Sequence, residues 1–312
     1  MPQVTVIAGG VGAAKFLRGL VELVDPSDVT AVVNVADDFR LHGLAISPDL
    51  DTVTYTLADQ VNPETGWGRV GETWTVMEEL DRYGGATWFS LGDRDLALHL
   101  YRTQRLSEGA SLSEVTAEVV RSHGLDVCVL PVSDAPMATK LMVDGQHIDF
   151  QDYFVARRHD VAVSAVHFEG AATARPAPGV LEAISSADVV VVAPSNPIVS
   201  IGPVLAVPGV RDALAARRDS VVAVSPIVGG AALKGPAARL MVELGHPSSA
   251  VGVAGLYREV VGTLVIDLVD EDLAPDVVTA GPACAVADTI MSDPQRAATV
   301  ARSTLAAVGL EV

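Results

Sequence analysis

The sequence predicts an α/β protein: a doubly wound, mainly parallel, Rossmann-like sheet with an inserted smaller α+β lobe. Three observations predict it. Short β-branched apolar runs recur along the chain, each followed by apolar residues at helical spacing. The first run, Val4 to Ala8, passes straight into a helix through Gly9, Gly10 and Gly12. Two later runs, Asp188 to Ala193 and Ser220 to Val224, end in polar loops stiffened by proline, at the strand edge where such sheets hold their ligands. With 312 residues and 49% hydrophobic content, the chain is read as one domain, 1–312, with the lobe at about 131–178.

The opening junction comes first. Ala13, Phe16, Leu17 and Leu20 set the helical period after the glycines, so free N–H groups and the positive end of a helix dipole converge on one point. An anionic, phosphate-bearing ligand fits there, with Lys15 adding charge one turn into the helix. The dinucleotide fingerprint is matched imperfectly, because Lys15 stands where a third glycine or alanine belongs. A P-loop is a poor match, since Ala14-Lys15-Phe16 lacks both the second glycine and the metal-binding hydroxyl.

A second strand, Thr30 to Ala36, ends in Asp37-Asp38, and Ser47-Pro48-Asp49-Leu50-Asp51-Thr52 opens the next helix. Asp49 or Asp51 suits an N-cap. Together with Asp37 and Asp38 they also make four carboxylates in a short span, a Mg²⁺ site if the loops converge. Residues Gly71 to Tyr83 read as a helix ended by Gly84-Gly85, and Ala86 to Leu91 as a third strand. Gly92-Asp93-Arg94-Asp95 then starts another helix, with Asp93 read as a cap or ligand contact and Arg94 as a surface charge or a phosphate-gripping guanidinium.

Leu112 to His123 forms an amphipathic helix, Val127 to Leu130 a strand, and Thr139 to Val143 with His147 to Phe150 a hairpin in the lobe. The histidines His123, His147, His159 and His167 lack metal-ligand spacing. Beyond the strand at 188–193, Ser195, Asn196 and Ser200 decorate a loop between Pro194 and Pro203. Beyond the strand at 220–224 comes Ser225-Pro226-Ile227-Val228-Gly229-Gly230. Residues Val251 to Val278 read as a final strand region, Asp267 and Asp270 to Asp272 as solvated, and a covering helix starts near Pro294.

Composition excludes several function classes. With 39 acidic against 21 basic residues and a net charge of −18, nonspecific binding to nucleic acid or an anionic membrane is not expected. Cys128 and Cys284 stand alone, which points to a reducing, cytoplasmic setting. No apolar run reaches the length of a membrane span.

Taken together and in order, the loops Gly9-Gly10-Val11-Gly12 with Lys15, Asn34 to Asp38, Ser47 to Thr52, Leu91 to Asp95, Pro194 to Pro203 and Ser225 to Gly230 resemble one family. It is the 2-phospho-L-lactate transferases of coenzyme F-420 biosynthesis, called CofD in methanogens and FbiA in actinobacteria. The resemblance implies transfer of a three-carbon acid phosphate from a guanosine diphosphate-linked donor to the terminal hydroxyl of the deazaflavin Fo, with Mg²⁺ on the diphosphate and GMP released. It implies that Asp51 contacts Fo or its hydroxyl, beside Ser90. It assigns metal contact to Asp49 or Asp51, with Asp37 as a further candidate. Gly10, Gly12, Ser195, Asn196, Ser225 and Gly229 would surround the donor, and relatives form a homodimer. Archaeal relatives carry Gly-Gly-Thr-Gly in the first loop, so Val11 here leaves the backbone donors to act alone. The Ala-, Val- and Arg-rich composition favours phosphoenolpyruvate over 2-phospho-L-lactate as the acid.

Two other classes use the same residues. An NAD(P)-dependent reductase would set Gly9 to Gly12 on the pyrophosphate and Asp37 on a ribose hydroxyl. A non-catalytic guanine-nucleotide-binding protein would bind the nucleotide without releasing GMP.

Overall fold

A computed structural model describes residues 2–312. Fourteen strands occur in it: β1 Val4–Ala8, β2 Val29–Val33, β3 Phe39–Leu41, β4 Leu44–Ile46, β5 Cys128–Pro131, β6 Ala138–Val143, β7 Gln146–Asp149, β8 Ala165–Glu169, β9 Val189–Val192, β10 Val221–Val224, β11 Ile227–Val228, β12 Ala231–Ala232, β13 Thr263–Asp267 and β14 Ala283–Ala287. Seven of them form one parallel sheet in the order β14-β13-β10-β9-β1-β2-β5. Its central strands are fully buried runs of valine, isoleucine and alanine, with Thr5 alone polar and its hydroxyl donating to the Ala183 carbonyl, as expected of a parallel sheet covered on both faces.

The order reverses between β1 and β9. Helix α1, Gly10–Leu20, leads the chain from β1 toward β2, whereas the loop after β9 leads away toward β10. A crevice opens at such a reversal, at the carboxyl ends of the strands. The long connection from β2 to β5 holds the β3–β4 hairpin and four helices, α2 Pro48–Leu57, α3 Thr75–Arg82, α4 Asp93–Ser107 and α5 Leu112–Ser122, and supplies one wall through α2, the first turns of α4 and the loops between them. The predicted lobe carries the antiparallel sheet β7-β6-β8, and residues 150–159, which follow β7, supply another wall.

Three sequence expectations are corrected. Residues Ala86 to Leu91 form no strand: no neighbouring strand pairs with them, Trp88 is 41% exposed, and β5 takes the third position beside β2. The region Val251 to Val278 holds two helices, Ala250–Tyr257 and Ala274–Ala280, around β13, while β14 lies beyond it. Asp267 and Asp270 are buried rather than solvated, Asp267 accepting from the Thr289 N–H and hydroxyl and Asp270 from the Gly229 N–H.

Candidate active site

At the reversal of strand order lies a cavity of about 930 Å³. Its floor is the first turn of α1. Gly10 sits at φ +72°, a conformation open chiefly to glycine, and a Cβ at Gly12 would collide with the Pro194 carbonyl. The missing side chain at Gly12 therefore lets α1 pack against the loop after β9. Ser195 fastens the same seam, its hydroxyl donating 2.6 Å to the Gly9 carbonyl.

Asn196 turns its Oδ1 inward to accept from the Ile198 and Val199 N–H groups, which leaves its buried Nδ2 without a partner. A buried donor with nothing to donate to costs free energy unless a ligand supplies the acceptor. Lys15 also lines the cavity and donates 3.1 Å to the Met291 carbonyl; burial, with Lys234 nearby, lowers its pKa.

The carboxylates divide into two groups. Asp37 and Asp49 stand by the floor. Asp49 Oδ2 accepts 3.0 Å from the Asn34 amide, and Asn34 holds its own rotamer by accepting from the Ala36 N–H. Burial raises the Asp49 pKa to about 6 against the pull of Asn34 and the Gly10 N–H. Burial, then repulsion from Asp49, pushes Asp37 well above the carboxylate range, and its Oδ1 has no partner. Neither Asp49 nor Asp51 caps α2 through its side chain; Ser47 occupies the cap position with Pro48 following.

Asp51 belongs to a second group that the sequence reading missed. Arg102 grips it with both terminal nitrogens, one at 3.1 Å. His99 lies 3.8 Å from Asp51 and 3.5 Å from Asp95, and Asp95 accepts 2.6 Å from the Tyr55 hydroxyl. Asp95, His99 and Arg102 fall at helical spacing on one face of α4, opposite Asp51 and Tyr55 on α2. That spacing was the available signal. Burial raises the Asp51 carboxyl while Arg102 and His99 oppose it; Asp51 in turn more than reverses the effect of burial on Arg102, whose pKa is raised. Although burial pushes Asp95 up, its bonds from His99 and Tyr55 leave it below its ordinary value.

Of the predicted site residues, Gly10, Gly12, Lys15, Asp37, Asp49, Asp51, Ser90, Ser195, Asn196 and Ser225 all line the one cavity. Ser225 also forms a local turn, accepting from the Ile227 N–H. Asp93, Arg94 and Gly229 are not among the lining residues. Without a strand before it, α4 starts away from the sheet's rim: Asp93 accepts from the Thr75 and Val76 N–H groups at the start of α3, and Arg94 reaches the Val70 carbonyl. Gly229 donates to Asp270.

A Mg²⁺ ion, the cofactor implied by the resemblance, fits Asp37 and Asp49 on the chemistry present. They are two buried, mutually repelling carboxylates, one with an orphaned oxygen. Asp51, Asp95 and His99 also bring ligand atoms within 4.8 Å of one another, yet Arg102 and Tyr55 already bond these carboxylates. Asp51 was expected to bind metal; the structure gives it a guanidinium.

Residues 4–298 match the model of the family described as 2-phospho-L-lactate transferase CofD. The chain is 43% identical to a phosphoenolpyruvate transferase of Kitasatospora aureofaciens and 45% identical to one of Streptomyces griseus, covering 97% of this chain and 97% of each relative. It is 39% identical to a phosphoenolpyruvate transferase of Mycolicibacterium smegmatis, over 99% of this chain and all of that one. A crystal structure of a UPF0052-family protein from Bacillus halodurans shares the fold, with a TM-score of 0.63 at 17% identity over 97% of this chain and 99% of that one. Among the described residues no helix is long and apolar enough to cross a membrane. The chain belongs to the 2-phospho-L-lactate transferase CofD family and is an enzyme of the phosphoenolpyruvate or 2-phospho-L-lactate transferase kind.

Proposed function

We propose that the chain moves a phosphoenolpyruvyl group, or its 2-phospho-L-lactyl counterpart, from a guanosine diphosphate-linked donor to the terminal hydroxyl of Fo, giving dehydro-coenzyme F-420-0 or its saturated form. One observation carries the reading: an unpartnered buried donor, Asn196 Nδ2, and an unpartnered buried acceptor, Asp37 Oδ1, border one cavity with the N-terminus of α1. A diphosphate with a cation complements all three. The name borne by the relatives favours phosphoenolpyruvate as the acid.

In this reading the α1 N–H groups, Asn196 and Lys15 hold the diphosphate oxygens. Asp37 and Asp49 would hold Mg²⁺, with Asn34 orienting Asp49; the ion offsets charge on the diphosphate. Asp51, fixed by Arg102 beside Ser90, orients the Fo hydroxyl. The hydroxyl oxygen bonds to the phosphorus bearing the acid, the bond from that phosphorus to GMP breaks, GMP leaves with the electron pair, and the hydroxyl proton passes to Asp51. Burial, by raising the proton affinity of Asp51, suits it to accept. Transfer of this kind needs alignment and fixed donors, and no protein nucleophile.

Incubation with Fo, the guanylyl donor and Mg²⁺ tests the reading: a heavier, more acidic deazaflavin should form. Oxidation of NADPH with Fo unchanged would instead assign a reductase, and nucleotide binding without turnover a regulatory protein. The homodimer implied by the resemblance is checked by light scattering.

A further inference from the structure

The chain has only three lysines, Lys15, Lys140 and Lys234, and meets its other cationic needs with arginine. Lys140 is an ordinary surface partner, paired with Asp149 and Glu169. The other two both line the cavity, and neither has a carboxylate partner among the described residues. Lys15 donates to the Met291 carbonyl, and Lys234 reaches the Thr65 carbonyl only at 3.5 Å, the outer limit of a hydrogen bond. Burial, and then repulsion from Lys234, lowers the Lys15 pKa, so the two ammonium groups feel each other across the cavity. In a chain of net charge −18, two lysines left without an acid in one cavity mark a place that receives negative charge.

Lys234 lies two residues beyond β12 and extends to the loop at 62–68. Gly66 of that loop stands at φ +76°, and a Cβ there would lie 3.4 Å from Lys234 Nζ and 3.5 Å from Val11 in the first turn of α1. The loop therefore brings the ammonium beside the floor proposed for the diphosphate. Its next residues, Trp67 and Gly68, line the cavity and also share a small side pocket with Ser90 and Asp95, on the wall proposed for the acceptor. The phosphorus that changes partners must lie between floor and wall, and the three-carbon acid hangs from it.

We infer that Lys234 is a specificity-determining residue for the transferred acid, its ammonium pairing with the carboxylate that phosphoenolpyruvate and 2-phospho-L-lactate share. The inference rests on the proposed guanylyl donor and adds which side chain reads the acid. A diphosphate at the α1 turn has N–H donors and Lys15 to meet it, whereas the carboxylate needs a counter-charge of its own. Lysine suits the role. Its compact charge on a flexible stem meets a carboxylate on the planar carbon of enolpyruvate or the tetrahedral carbon of lactate, where a rigid guanidinium fork would favour one orientation. Lys234 thus selects for a carboxylate and not between the two acids.

The test is equilibrium binding of three probes, with Mg²⁺ and without Fo, to the full chain and to Lys234→Met and Lys234→Arg. The probes are GDP, the guanylyl donor carrying 2-phospho-L-lactate, and the same diphosphate carrying an ethyl group in place of the lactyl, which removes the carboxylate. Wild type should bind the lactyl donor about tenfold more tightly than the ethyl one. Lys234→Met should erase that preference and leave GDP almost unchanged; Lys234→Arg should keep part of it. Loss of GDP and lactyl-donor affinity by the same factor in Lys234→Met would assign the ammonium to phosphate and overturn the inference. A preference that survives in Lys234→Met, or is missing from wild type, would also overturn it. If wild type binds no GDP at all, the guanylyl donor itself is wrong and the inference falls with it. Lys234 is exposed, so neither change removes core packing, and circular dichroism checks that each variant is folded.

Discussion

Arg102 on α4 clasps Asp51 on α2 with two nitrogens, and both side chains are almost wholly buried, 4% and 8% exposed. The pair ties the wall of the cavity to the carboxylate proposed to meet the acceptor. Breaking it from either side strands a buried charge, which costs about 3–5 kcal/mol. Arg102→Ala should therefore lower stability by that amount, read by urea denaturation. Asp51→Asn, which keeps the shape and one acceptor for Arg102 but removes its counter-charge, should also lose stability, stay folded by circular dichroism, and lose about 10²–10⁴-fold in kcat. The double change Asp51→Leu with Arg102→Met should recover stability and stay inactive. Near-normal turnover in Asp51→Asn would remove the carboxylate from the mechanism.

Asp49 gives a pH signature. Its folded pKa of about 6 lies above the unfolded value, so the metal-free protein is favoured when the group is neutral. The contribution is full below about pH 4 and lost as pH rises through about 6, on the order of 3 kcal/mol. Asp49→Asn removes the titration. The variant should melt higher than wild type at pH 7.5 in chelator and no higher at pH 4. Mg²⁺ should close that gap by raising the wild type alone. A gap independent of pH would contradict the burial argument.

Gly12 is a packing requirement as much as a ligand contact. Gly12→Ala drives a methyl group into the Pro194 carbonyl, a backbone atom that cannot swing aside. It should cost about 1–3 kcal/mol and weaken nucleotide binding, because the seam between the β1 and β9 loops opens. Calorimetry of folding and GDP titration on the same sample separate the two effects.

Asp93 is a control. Since it caps α3 outside the cavity, Asp93→Ala should lower the melting temperature slightly and leave kcat/KM unchanged. A tenfold fall in kcat/KM with stability intact would return it to the site.

The parallel strands and the opening glycine turn were legible because a strand buried on both faces is dominated by apolar residues: Val189–Val192 is all valine, and Val4–Ala8 is apolar but for Thr5, whose hydroxyl donates to the Ala183 carbonyl. Asp37, Ser195 and Asn196 were legible because they follow such strands at the rim, and Asp49 because it opens the helix after Ser47-Pro48. Ala86 to Leu91 is also a short, mainly apolar run and forms no strand, since pairing is decided by a neighbour and not by the segment. Asp93 and Arg94 were misplaced with it. Arg102 and His99 were missed because a buried polar face on α4 acquires meaning only once α2 lies against it.

The most direct measurement follows GMP and the deazaflavin product together, by mass spectrometry of one reaction of the purified chain with Fo, donor and Mg²⁺. The account predicts one GMP for each Fo converted, and neither with Asp51→Asn. GMP released while Fo stays intact, or Fo modified without GMP, would contradict it.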